Sequence, residues 1–135
     1  MVSRKRFLLS KRPASLRQLD GVDVVEGYIA RGDVSHLVRR EGTTYFLVEN
    51  EVGESGLVDE RRLEISQSIF GMLWRATKGQ RSSFRAFEYT ESSGLTWTIE
   101  EYHGREERIL AFPRSTARAF RINLSELKEL VIREE

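Results

Sequence analysis

Along most of the chain, apolar and polar residues alternate with a period near two. "VVEGYIA", "HLVRR", "TYFLVEN", "GLVDERRLEIS", "SSFRAFEY", "LTWTIEEY" and "RILAFP" are short runs rich in Val, Ile, Phe, Tyr and Trp. Such runs predict strands, and "RGD", "REGTT", "ESSG" and "HGREE" supply turns between them. One stretch departs from the pattern. Ile65, Ile69, Met72, Leu73 and Ala76 recur at helical spacing, which predicts one helix over residues 66–78, capped by Ser66 and stopped by Gly79. Shorter helices are expected at "ASLRQLD" and "STARAF", while "LKELVI" reads as either a last strand or a helix. So many antiparallel strands in 135 residues predict a barrel or a strongly curved sheet, because closure removes exposed edges.

Charge changes this picture in one place. In "DERRLE", Glu60, Arg62 and Glu64 share one face of the strand and Asp59, Arg61 and Leu63 share the other. Alternating charge usually marks a solvated face; the less common reading is a charged barrel interior, and charge on both faces of this strand is more than solvent coating needs. The chain as a whole is nearly balanced, with 22 Lys and Arg against 21 Asp and Glu, a net charge of +1. Its first nineteen residues hold six of the basic side chains and no acid. "SRKRF" and "SKRP" form a basic cluster, yet the overall balance and the lack of a helix-turn-helix or zinc pattern weigh against nucleic acid.

The length suits one domain over residues 1–135. With no cysteine there are no disulfides, thiol nucleophiles or Cys-bound metals, and no run approaches the roughly 18 apolar residues of a membrane span. The start lacks a secretory signal, so a cytoplasmic location is expected. His36 and His103, the only histidines, fall at a strand start and in a turn, where surface roles are the simpler expectation. Trp74 and Trp97 are expected in the core or lining a groove. No Ser-His-Asp arrangement, glycine-rich phosphate loop or His-Glu-x-x-His pattern is present.

The order of segments carries more than any one of them. "VSRKRFLL", then "VEGYIA", then "HLVRREGTTYFLVEN", "DERRLEISQSIFGMLW", "LTWTIEEYHG" and "RILAFPRS" follow one another with the spacing of a known family. The chain resembles the CYTH family, the triphosphate tunnel metalloenzymes, over nearly its whole length. The resemblance implies an α+β fold: an antiparallel eight-stranded β-barrel with a few flanking helices. Inward Arg and Lys would hold a triphosphate and inward Glu a divalent metal, for triphosphate hydrolysis or adenylyl cyclisation.

The departures fall where the metal chemistry would lie. Val2 and Arg4 stand in place of the family's two opening glutamates, and Arg6 in place of its lysine. In the late strand, a register fixed on Phe112 and Pro113 puts Ile109 and Ala111 at the second acidic pair; a shift of one puts Arg108 and Leu110 there. Leu37 replaces the first arginine of an Arg-x-Arg pair while Arg39 remains. Asn50 or Glu49 stands near an expected lysine, and Arg85 is what is left of a Lys-x-Arg pair. Glu60, Glu64 and Glu100 are the surviving acidic candidates. Arg4, Arg6, Arg39, Arg62 and Arg85 are candidates to line a tunnel that binds polyphosphate, a nucleotide or another anion. Alternatively they pair with Glu60, Glu64 and Glu100 across strands and fill the interior. The expectation is a CYTH-like pseudoenzyme without metal or other cofactor, acting as a binding or scaffold module for an anionic ligand, a protein partner or a second copy. The alternative is an active hydrolase or cyclase using Mg²⁺ or Mn²⁺.

Overall fold

The computed structural model describes residues 6–54, 56–90, 94, 96–103, 107–113 and 130–134. The strands are β1 (Phe7–Leu9), β2 (Val22–Ala30), β3 (Val34–Glu41), β4 (Thr44–Val52), β5 (Val58–Ile65), β6 (Arg81–Thr90), β7 (Thr96–Tyr102), β8 (Arg108–Pro113) and β9 (Val131–Glu134). They form one antiparallel sheet in the order β5-β4-β3-β2-β6-β7-β8-β1-β9. The expected eight-stranded barrel is therefore a nine-stranded sheet. Among the described residues β5 and β9 do not pair, so the sheet curves strongly without closing. Residues of β5 and β7 line one cavity although five strand spacings separate them, about 24 Å in a flat sheet.

The sheet's two faces have different chemistry. On the outer face Phe7, Leu9, Phe87, Trp97, Ile99 and Ala111 form a buried cluster, with Phe7 and Trp97 edge to face at 5.7 Å. Leu16, Leu130 and Val131 pack against it. The first strand thus packs its Phe7 outward, as its alternation suggests. Beside this cluster Glu101, only 3% exposed, accepts hydrogen bonds from Nε and Nη2 of Arg12, whose guanidinium also lies over the Phe87 ring.

The single α-helix among the described residues, α1 (Gln67–Trp74), is shorter than the predicted 66–78 because its last turn tightens to a 3-10 helix at Arg75–Thr77. Its caps are those expected: the Ser66 hydroxyl accepts from the Ile69 N–H at 3.2 Å, and Gly79 has φ +82°. Its predicted apolar face is not buried. Phe70 stacks between Tyr45 and Trp74 at 4.9 and 5.2 Å, whereas Ile69 and Met72 are 47% and 72% exposed. The helix expected at "ASLRQLD" is one 3-10 turn, Gln18–Asp20. In "LKELVI" the described part is the start of β9, and "STARAF" lies outside the described residues. No helix among the described residues is long and apolar enough to cross a membrane.

The chain after α1 crosses β2 closely. A Cβ on Gly27 would stand 2.5 Å from the Cβ of the fully buried Thr77, whose hydroxyl donates to the Trp74 carbonyl and accepts from Arg81. Gly27→Ala is therefore expected to lower stability by about 1–3 kcal/mol through overpacking. Equilibrium urea unfolding measures this directly.

Candidate functional site

The concave face of the sheet encloses an open cavity of about 520 Å³. Cross-strand register fixes which residues face it. Glu26 is opposite Arg39, Arg39 opposite Phe46, Phe46 opposite Glu64, and Ala86 opposite Glu100. The even-numbered residues of β2 as far as Tyr28 and of β4, β5, β6, β7 and β8, with the odd-numbered ones of β3, therefore share this face. Glu60, Arg62 and Glu64 do share a face, as the alternation in "DERRLE" predicts.

Arg39 organises the site. Its Nε donates to Glu26 Oε2 at 2.9 Å, and its Nη1 donates to Glu60 Oε1 at 2.9 Å and to Glu41 Oε2 at 3.5 Å. The side chains of Arg39, Glu26 and Glu60 are 13%, 8% and 12% exposed, so β2, β3 and β5 are tied together away from water. Burial opposes the guanidinium's charge, but the fields and hydrogen bonds of Glu26 and Glu60 outweigh it, and the Arg39 pKa is raised. Arg62 donates to Glu41 at 2.7 Å and lies over the Phe46 ring at 4.2 Å. Opposite, Glu100 is 6% exposed and accepts the Tyr102 hydroxyl at 2.5 Å.

Of the candidate cations, Arg39 and Arg62 line the cavity, each hydrogen-bonded to carboxylates. Arg4 lies outside the described residues. Arg6, just before β1, has the parity of the inward Leu8 and is exposed. Arg85 corrects the expectation: it points to the outer face, where it pairs with Asp23 at 2.9 Å. The cavity-facing residues of that strand include Phe84, Ala86 and Glu88, which offer no positive charge. In β8 the register expected from Phe112 and Pro113 is off by one. Ala111 belongs to the outer cluster, and Leu110, opposite Glu100, faces inward. Asn50, opposite Glu60, occupies the inner face, whereas Glu49 points outward beside His36 and Arg61.

Of the candidate acids, Glu60 and Glu100 line the cavity and Glu64 is exposed on the same face near its edge. Sequence reasoning missed Glu26, Glu41, Asp20 and Glu88. Glu26 carried a signal: it is a lone acid in the otherwise apolar alternation of "VVEGYIA". His103 is 63% exposed, 3.6 Å from Glu101 on the outer face, and His36 is likewise at the surface.

The cavity lining holds Asp20, Glu41, Glu60, Glu88 and Glu100 against Arg39 and Arg62. It is acidic rather than cationic. Mg²⁺ or Mn²⁺ needs several oxygen ligands at once, and two of the lining carboxylates, Glu41 and Glu60, already accept from Arg39 or Arg62. Among the described residues no three Asp, Glu or His side chains converge as a metal-ligating group. At Glu41 and Glu60 a metal ion would have to displace those hydrogen bonds and sit beside a guanidinium.

No family model matches the sequence, and no curated protein matches it either. Solved structures do match the fold. The inorganic triphosphatase NE1496 superposes with a TM-score of 0.58 at 19% identity, covering 98% of this chain and 87% of the other. A candidate adenylate cyclase from Bacillus halodurans gives 0.52 at 13% identity, covering 85% and 81%. The strongly curved antiparallel sheet with its charged concave face, matched along nearly the whole chain by these structures, is the CYTH-type triphosphate tunnel fold.

Proposed function

We propose that this chain is a CYTH-fold binding or scaffold module without metal-dependent triphosphate chemistry, acting in the cytoplasm through a protein partner. One observation carries the reading: Arg39, at the centre of the concave face, is bound on two sides by Glu26 and Glu60. A guanidinium so engaged holds its carboxylates away from a metal, and the carboxylates hold it away from phosphate. A polyphosphate or nucleotide entering the cavity would meet five carboxylates and two arginines that are already hydrogen-bonded. Phe84 and Ala86 add apolar wall where anion recognition needs donors.

The test is direct. Purified protein with tripolyphosphate or ATP and Mg²⁺ or Mn²⁺ is expected to release no phosphate and no cyclised product above a protein-free control. Neither anion is expected to raise the melting temperature. Metal-independent stabilisation by tripolyphosphate would restore the anion-binding function expected from the sequence. The fold likeness to an inorganic triphosphatase favours a second reading, an active hydrolase or cyclase. Metal-dependent turnover that Glu64→Gln or Glu100→Gln abolishes would establish it.

A further inference from the structure

We infer that the open edge of β5 pairs with β5 of a second copy of this chain, joining two curved sheets across a two-fold axis. β5 hydrogen-bonds to β4 on one side and borders no other described strand. Among the described residues, its eight-residue edge leaves a row of N–H and C=O groups to be matched by another strand. The edge strand also carries an exposed apolar side chain, Leu63, which is 64% exposed on the outer face.

The charges of β5 decide which partner strand fits. They exclude most self-pairings and permit one. A two-fold axis perpendicular to the sheet keeps inner face with inner face, so it opposes residues of equal parity in an antiparallel register. With Arg62 on the axis, Arg62 meets itself and Glu60 meets Glu64. With Glu64 on the axis the two glutamates meet; with Arg61, the two arginines do. With Leu63 on the axis, Leu63 meets Leu63 of the second copy and each Arg62 meets a Glu64, while Arg61 lies beside Ile65. This register alone pairs opposite charges twice, opposes no like charges and covers the exposed leucine. The Arg62 side chain is 45% exposed and uses Nη1 on Glu41, so its remaining N–H groups are available for the crossing pair. Charges on an edge usually keep strands apart. Here their order makes the edge selective for a copy of itself.

The inference does not rest on the proposed function, and its test is the association state of the full chain. Sedimentation equilibrium over micromolar to millimolar concentration is expected to show a monomer–dimer equilibrium. Glu64→Arg, which sets like charges across the axis twice, and Leu63→Lys should each weaken the dimer about tenfold or more. Combining Arg62→Glu with Glu64→Arg reverses both signs and should restore dimerisation to within about threefold of the original. Unchanged circular dichroism would show that each variant still folds. A chain that stays monomeric throughout overturns the proposal, as does a dimer indifferent to Glu64→Arg or a double variant no better than the single one.

Discussion

Arg39→Met is expected to destabilise the fold by about 3–5 kcal/mol, because it leaves Glu26 and Glu60 facing each other across β2 and β5 without the cation that compensates them. The loss would come from the stranded carboxylates more than from the arginine's own contribution. Glu26 is 6% exposed and cannot recover its hydration without opening the sheet. The triple variant Glu26→Gln, Arg39→Met, Glu60→Gln should therefore recover most of the loss, since it removes the charges together. Urea unfolding of the single and triple variants at neutral pH decides the matter. Equal instability in both would mean that Arg39 matters for its packing and not for its charge.

The second large effect lies on the outer face. Arg12→Ala is expected to cost about 2–3 kcal/mol at pH 7, somewhat less than a fully buried pair because Arg12 is 25% exposed while Glu101 is 3% exposed. Hydrogen bonding from Arg12 holds the Glu101 pKa below its ordinary value, against the opposing effect of burial. A carboxylate held low in the folded state contributes stability that is present above its unfolded value and is lost as pH falls through its folded one. The gap between wild type and Arg12→Ala should thus be full near neutrality and narrow as pH drops below the ordinary value of 4.5, because the unfolded chain takes up the proton first. Unfolding curves at pH 7 and pH 3 measure it. A gap of constant size would assign the loss to the stacking of Arg12 on Phe87.

The fold was legible where the alternation is unambiguous. Ser66 and Gly79 mark the helical segment because a hydroxyl cap and a left-handed glycine are local requirements. Glu60 and Arg62 could be placed together because β5 is charged on both faces, so either register keeps them on one side. The late strand was less readable. Leu110, Ala111, Phe112 and Pro113 are all buried, so both faces are apolar and parity leaves no trace in composition. In β6 the small residues Ser82 and Ala86 alternate with Arg85 on the opposite face, and the arginine drew attention to the wrong side. Strand β9 has four described residues and pairs with β1, far away in sequence, so nothing local announces it. The pairing of Arg12 with Glu101 was invisible for the same reason, as was the central role of Glu26, which depends on a partner from β3 and a neighbour from β5.

The position of β1 carries a kinetic consequence. The strands β2 to β5 form successive hairpins, each closing a short loop soon after its residues are available. Phe7 instead pairs with Ala111 and Glu134, more than a hundred residues away. Closing so long a loop is entropically costly, and non-local pairings of this kind slow folding. Strand β1 leaves the ribosome before β8 and β9 and must wait, with Phe7 and Leu9 exposed, until they arrive to complete the cluster around Trp97. During synthesis, the stretch most in need of shielding from other chains is then the one already finished.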